Sequence, residues 1–163
     1  MGTHYKGTRK EISALNTFIK LIRTSESAIS RTNLVLLKHK LTESQFGIID
    51  ALYHLGPLCQ KDLGKKLLKS GGNITLVIDN LEKQDLVRRE RGKQDRRLFN
   101  IYLTENGRKH FEKIFPEYLN SILNEINILT ESEQMELQRL CKKIGLNKLK
   151  GNDTAINSAN KKI

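Results

Sequence analysis

The chain has 163 residues, of which 37% are apolar and 29% are charged. Such a composition belongs to a folded domain that buries a core without disulfides or metal ions, and it excludes a disordered chain. Lys and Arg outnumber Asp and Glu by 29 to 18, and the net charge of +11 predicts a polyanionic partner. The apolar runs are too short to cross a membrane or to form a signal peptide, so we expect a cytoplasmic protein without a membrane partner.

The first part of the chain predicts two helices. Apolar residues recur at helical spacing over residues 12–41, which indicates one long helix or a bent pair. A second helix starts after Thr42, because Gln45 stands where it completes a capping box. This helix stops at Gly56, and residues 58–60 are long enough only for one extended bridge.

The middle of the chain predicts a helix-turn-helix followed by a β-hairpin. Residues 61–69 form a short helix with lysines on its outer face, and a Ser-Gly-Gly turn ends it. A second helix covers about residues 71–84, with an apolar stripe made by Ile74, Val77, Ile78 and Leu81. Two β-compatible segments then fill about residues 87–103 with turn residues between them, which makes the motif winged.

Two further helices complete the prediction. One follows Thr104 and carries a wide apolar face that requires a partner, and the other starts with a capping box at Thr130. We therefore predict a mainly α fold with a small β-hairpin. Its parts are a single domain over 1–150, with dimerisation helices at 11–40 and 104–147 and a winged helix-turn-helix at 42–103, and a flexible tail at 151–163.

The charge is concentrated on the predicted hairpin. Residues 88–97 read RRERGKQDRR, six basic residues against two acidic ones. A charge run is usually a solvated face, but a basic run on a hairpin next to a helix-turn-helix indicates nucleic-acid binding.

Three segments of the chain resemble the MarR family of dimeric winged-helix transcription regulators. They read LTESQFGIIDAL, KDLGKKLLKSGGNITLVIDNLEKQDLVRRE and DRRLFNIYLTENG, and the resemblance covers about residues 11–146. It implies a homodimer that binds an inverted repeat in double-stranded DNA, with the helix at 71–84 in the major groove and the hairpin in the minor groove. No catalytic motif is present in the sequence, so we expect no enzyme.

The residues of these segments give a candidate DNA-binding set. Gly71 and Gly72 let the start of the recognition helix approach a phosphate, and Asn73 and Thr75 can reach base edges. Arg97 is expected in the minor groove, with Asp95 bracing the hairpin. The remaining members of the set are Lys61, Lys65, Lys66, Lys69, Ser70, Leu76, Arg89, Arg91, Lys93 and Arg96.

The sequence departs from the family pattern at three positions. Leu76 and Asn80 stand where relatives often carry basic residues. Asp85 replaces the glycine usual in the turn before the wing, so a left-handed backbone there would cost free energy.

The regulatory signal remains open at this level. Relatives are released from DNA by small phenolic or other amphipathic ligands, by thiol oxidation or by zinc. Cys59 is the candidate redox thiol, although a small core residue is the alternative interpretation, and we predict no cofactor or metal. The alternative function is a protein-interaction or non-specific nucleic-acid-binding module without ligand response. A hypothetical ligand pocket, which core packing explains equally well, consists of Phe18, Ile22, Phe46, Ile49, Tyr53 and Phe111.

Overall fold

The computed structural model describes residues 2–92 and 99–146, and the elements occur in the predicted order. The mainly α fold with a small antiparallel sheet is confirmed. Helix α1 is one continuous helix of 30 residues, so the alternative of a bent pair is wrong. The elements are α1 (Arg9–Lys38), α2 (Glu43–Leu55), β1 (Leu58–Cys59), α3 (Gln60–Lys66), α4 (Gly71–Lys83), β2 (Val87–Arg91), β3 (Phe99–Leu103), α5 (Glu105–Ile126) and α6 (Glu131–Gly145).

Capping boxes fix where three of the helices begin. The predicted boxes at Thr42 and Thr130 are both present, with the side chain and the third helical residue bonded reciprocally. A third box joins Thr8 to Glu11 and starts α1 at Arg9, two residues before the predicted dimerisation helix at 11–40. The apolar pattern missed this turn because it carries no apolar residue until Ile12.

The three strands form one antiparallel sheet in the order β1-β3-β2. The bridge residue Leu58 pairs with Ile101 of β3, and Arg89 of β2 pairs with the same Ile101 from the other side. The wing is therefore attached at its base to the segment that leads into the helix-turn-helix. The hairpin turn and the residues after 146, including the predicted tail at 151–163, lie outside the described residues.

The core joins the helix-turn-helix to the first half of α5. Stacking of Phe111 on Phe46, with 5.6 Å between ring centroids, links α5 to α2. Fully buried side chains from α1 to α5 and from β3 surround this pair, namely Leu36, Ile49, Leu63, Ile78, Ile101 and Ile114. This packing holds α3, α4 and the base of the wing as one body.

Three helices end in a left-handed residue other than glycine. Lys40, Leu68 and Asp85 have φ angles of 56°, 52° and 56°. The left-handed backbone expected at Asp85 is thus confirmed. In each case the next residue closes the helix end with a bond back to the last turn, from Leu41 N to Leu36 O, Lys69 N to Gly64 O and Leu86 N to Leu81 O, each of 3.0 Å.

The chain divides into two compact units, Met1–Glu125 and Ile126–Ile163. The first contains α1 to α4, the sheet and nearly all of α5, and the second contains α6. In the described part of the chain, no helix has the length and apolar character needed to cross a membrane.

Candidate nucleic-acid interface

Four lysines lie on one exposed surface of the helix-turn-helix. Leu63 and Gly64 turn the opposite side of α3 into the core, so the basic residues of this short helix are left on the outside. One of them, Lys65, lies 3.8 Å from Asp62, a loose and exposed pair that leaves the lysine accessible. The predicted phosphate contacts on this surface are Lys61, Lys65, Lys66 and Lys69, all of them exposed.

The start of α4 lies open beside these lysines. Ser70 is its N-cap residue in an extended conformation, but the serine side chain makes no capping bond. The N–H groups of the first helical turn, at Gly71, Gly72 and Asn73, have no acceptor among the described residues. A Cβ on Gly71 or Gly72 would meet nothing within 4 Å, so protein packing does not require glycine here. The helix start can thus receive an anion.

The hydroxyl of Thr75 is engaged within the helix-turn-helix. Its Oγ1 donates to Gly71 O at 3.0 Å and accepts from Gln60 Nε2 at 2.5 Å. Thr75 therefore has only its methyl group available for contact with a base. The other predicted base-reading residue, Asn73, is exposed, and its side chain makes no hydrogen bond among the described residues. The role of Gln60 was not predictable from the sequence, because it contacts a residue fifteen positions away on another helix.

Arg89 of β2 points onto α4 rather than away from the protein. Its guanidinium lies 2.5 Å from Asp79 Oδ1 and 2.8 Å from Glu82 Oε2, and Nη2 donates to Thr75 O at 3.3 Å. The backbone N–H of Arg89 donates to Glu82 Oε1 at 3.0 Å. The side chain is only 20% exposed. Arg89 thus differs from the outward positive charge that the sequence suggested.

The other arginines of β2 stand on aromatic rings of β3. Arg88 packs over Tyr102 and pairs with Glu90, and Arg91 lies 6.0 Å from the ring centroid of Phe99. These contacts hold two cationic side chains along the exposed part of the wing. Four predicted contacts, Lys93, Asp95, Arg96 and Arg97, lie outside the described residues.

A glycine that the sequence reasoning overlooked fixes the turn before the wing. A Cβ on Gly107 would lie 2.1 Å from Leu86 O, so the start of α5 touches the backbone of this turn. Thr104 Oγ1 accepts from Gly107 N at 2.9 Å and donates to Asp85 O at 2.6 Å. The signal in the sequence is the Thr-Glu-Asn-Gly string, which places a capping threonine three residues before the glycine.

The six residues of the hypothetical ligand pocket do not lie on one surface of the described chain. Phe46, Ile49 and Phe111 belong to the core, whereas Phe18 is 62% exposed on α1 together with Ile22. The sixth residue, Tyr53, is partly exposed, and its hydroxyl donates to Glu112 at 3.0 Å.

A cleft of about 790 Å³ lies instead beside the turn of the helix-turn-helix. Its apolar wall includes Leu68, which is 92% exposed, and Phe99. Cys59 also lines the cleft, partly buried, with its Sγ donating to Asp62 Oδ2 at 3.0 Å. Three lysines of the candidate interface line the same cleft, so a molecule bound there would occupy the cationic surface; these are Lys61, Lys65 and Lys69.

Two histidines meet where α1 ends beside α5. The rings of His39 and His110 are 6.5 Å apart, and His39 Nε2 lies 3.3 Å from Glu117 Oε2. Burial, followed by the charges of His39 and Lys113, lowers the pKa of His110 below its ordinary value of 6.5. In the described residues, no three His, Cys, Asp or Glu side chains form a group suited to a metal ion.

This arrangement defines a winged helix-turn-helix, and comparison with known proteins agrees with it. A sequence model described as "MarR family" matches residues 41–99. The HTH-type transcriptional regulator MhqR of Bacillus subtilis (strain 168) is 34% identical over 134 residues, which cover 82% of this chain and 92% of that protein. The chain belongs to the MarR family and is a DNA-binding transcription regulator, so the predictions of family and of a non-enzymatic function are confirmed.

Two solved structures share the fold. A cysteine-to-serine variant of MarR from E. coli, complexed with operator DNA, has a TM-score of 0.73 at 22% identity, with 85% of this chain and 99% of that chain covered. BpsR of Bordetella bronchiseptica, whose DNA binding is regulated by 6-hydroxynicotinic acid, has a TM-score of 0.72 at 22% identity, with 79% and 98% covered.

Proposed function

We propose that this regulator is a homodimeric repressor that binds an inverted-repeat operator and is released by a small-molecule or redox signal. The observation that carries the operator contact is the uncapped start of α4 beside the exposed lysines of α3. Unpaired N–H groups and a helix dipole favour a phosphate there, and the lysines add affinity that depends on salt. Asn73, exposed in the first turn, then lies where an amide can pair with adenine in the major groove.

Exposed apolar side chains support the homodimer. On α1, Phe18, Leu34 and Leu37 are each at least 60% exposed, and on α5 Leu119 and Leu123 are also exposed. A surface of this kind on two helices of one chain is unusual for a monomer in water. Helix α6 adds apolar side chains of its own, with Met135 and Ile144 exposed. A second copy of the chain offers the same surfaces and can cover them by two-fold symmetry.

The chemistry of the cleft near Leu68 and Phe99 favours an aromatic acid as the signal that releases the regulator from DNA. Apolar walls suit a ring, and a lysine rim suits a carboxylate or phenolate. The regulation of BpsR by 6-hydroxynicotinic acid provides a relative with a ligand of this class. The alternative location is the hypothetical pocket that the sequence suggested, between the dimerisation helices and the DNA-binding lobe, where Tyr53 is partly exposed. Oxidation of Cys59 remains the redox version of the same proposal.

The first experiment is a selection of binding sites from random duplex DNA at about 150 mM salt, where purely electrostatic binding is weak. We expect an A·T-rich inverted repeat with half-sites about one helical turn apart. If no sequence is enriched, the operator proposal is refuted and the chain is a non-specific binder. The selected duplex then serves to screen aromatic acids, oxidants and zinc for release.

A single wing residue tests the minor-groove contact. Arg97→Ala should weaken binding to the selected duplex by about 1 to 3 kcal/mol, because a minor-groove arginine gains from concentrated negative potential. Arg139→Ala, on α6, removes the same charge from an exposed pair with Glu136 and serves as the control. Equal affinities of the two variants would contradict the assignment of Arg97.

A charge on the apolar face of α5 tests the homodimer. Ile122→Glu should yield monomers or insoluble protein in light scattering, because a buried unpaired carboxylate is costly. Asn124→Glu adds the same charge to an exposed position two residues away and should leave the dimer intact. A soluble Ile122→Glu dimer of normal stability would place the interface elsewhere.

A further inference from the structure

We propose that Arg89 is a positioning residue that holds the recognition helix α4 on the wing and offsets part of the charge of two carboxylates there, without contacting DNA itself. The inference deepens the proposed function, since it rests on α4 being the helix that enters the major groove.

The contacts of Arg89 follow one stripe of α4. Thr75, Asp79 and Glu82 are spaced by four and three residues, so they lie on the same side of the helix over two turns. The planar guanidinium reaches all three at once, with separations of 3.3, 2.5 and 2.8 Å. Lysine has no fork of donors to match such a set, so this is a position where arginine and lysine differ.

The place of Arg89 in the sheet makes the contact rigid. It pairs across the sheet with Ile101, which is fully buried, so the backbone at this point of the wing is fixed by the core. Its N–H also bonds to the carboxylate of Glu82, which adds a backbone anchor to the side-chain contacts. The wing and α4 are thereby joined by both the main chain and the side chain of one residue.

The charges explain why this residue matters for DNA. Asp79 and Glu82 are about 40% exposed on a helix that is proposed to lie against phosphates, where an uncompensated carboxylate is repelled. Arg89 adds one positive charge against these two negative ones. Removal of the guanidinium would leave both carboxylates unpaired at the interface and would release α4 from the wing.

A double-mutant cycle separates this role from a phosphate contact. In the wild-type background, we expect Arg89→Gln to lower the affinity for the selected duplex about tenfold. In an Asp79→Asn/Glu82→Gln background, the same substitution should lower the affinity less than about twofold, because the effects of substitutions at coupled sites are not additive. A direct phosphate contact would give the same loss in both backgrounds. Equal losses overturn the proposal.

Lysine replacement provides the second test, and it covers the case in which Arg89→Gln does not fold. Arg89→Lys keeps the charge, so it would spare a phosphate contact, but we expect it to lose most of the affinity that Arg89→Gln loses. The matched control is Arg139→Lys on α6, which lies outside the candidate DNA-binding set and also pairs with a glutamate, and it should stay within about twofold of wild type. Wild-type affinity in Arg89→Lys would overturn the proposal.

The outcomes distinguish this proposal from the one on which it rests. If the wild-type chain selects no duplex, the operator proposal and the role of Arg89 fall together. If the wild type binds its selected duplex and the cycle shows no coupling, only the role of Arg89 is refuted. Circular dichroism of each variant checks that the helices are retained.

Discussion

Gly107 offers a sharp test of how the wing is attached, because the space for a side chain there is absent. A methyl group on this residue would lie 2.1 Å from Leu86 O and 2.8 Å from the side chain of Leu103. An ordinary contact to the carbonyl oxygen requires at least 3.4 Å, so the start of α5 and the turn must separate by about 1.3 Å. The leucine side chain can adjust, but the carbonyl belongs to the backbone.

The expected loss in the free energy of unfolding depends on the hydrogen bonds of Leu86 that this separation would weaken. Leu86 N donates to Leu81 O at 3.0 Å, and Leu86 O accepts from Thr104 N at 3.1 Å. Overpacking costs about 1 to 3 kcal/mol, and each weakened hydrogen bond adds about 1 kcal/mol. The higher helix propensity of alanine offsets about 1 kcal/mol of this destabilisation. We expect Gly107→Ala to lower the free energy of unfolding by about 2 to 4 kcal/mol.

Urea unfolding followed by circular dichroism measures this difference, with Gly72→Ala as the control. A methyl group on Gly72 meets nothing within 4 Å, so this variant should be as stable as the wild type or up to about 1 kcal/mol more stable. Its DNA affinity should fall nevertheless, if α4 approaches a phosphate at this residue. Equal stability of the two alanine variants would refute the close contact between α5 and the turn.

Further predictions concern the left-handed residues and His110. Asp85→Gly should raise the free energy of unfolding by up to about 1 kcal/mol, because Asp85 has a positive φ. Leu68→Gly should raise it by at least as much, because leucine tolerates a positive φ less well than aspartate. A decrease of more than about 1 kcal/mol in urea unfolding would contradict this reasoning. The folded chain lowers the pKa of His110 below 6.5, so the unfolded chain binds its proton first as the pH falls. The contribution of His110 to the free energy of unfolding is therefore complete above pH 6.5 and declines below it. Between about pH 7.5 and about pH 5.5, His110→Gln should lose less free energy of unfolding than the wild type. Identical pH profiles of wild type and variant would exclude this group as the cause.

Local patterns were sufficient for the elements of the fold. Capping at Thr42 and Thr130, the stop at Gly56 and the apolar stripe of α4 each depend on residues within two helical turns, and the structure agrees with all of them. The turn at Asp85 was also predictable, because the family resemblance places a glycine there and a left-handed residue is a common way for a helix to end.

Contacts between elements were not predictable in the same way. A run of arginines on a strand gives no direct measure of which side chains turn inward, and the run as a whole favours solvent. A useful signal was present in the alternation of the strand, since Arg89 shares a face with Val87, which is buried. The partners of Arg89 on α4 become visible only when the hairpin is folded back over that helix.

The distribution of charge along α4 joins these observations. Its first turn, Gly71 to Ile74, carries no charged side chain and no cap, whereas its carboxylates, Asp79 and Glu82, stand in the second half. Carboxylates near the C-terminal end of a helix oppose its dipole and would repel DNA, and Lys83 in the last turn of α4 matches only one of the two, so this half needs a second cation from outside the helix. Arg89 provides that cation from the wing. The N-terminal turn of α4, which is proposed to contact the bases, can therefore stay uncharged and open, while the lysines of α3 supply the salt-dependent affinity.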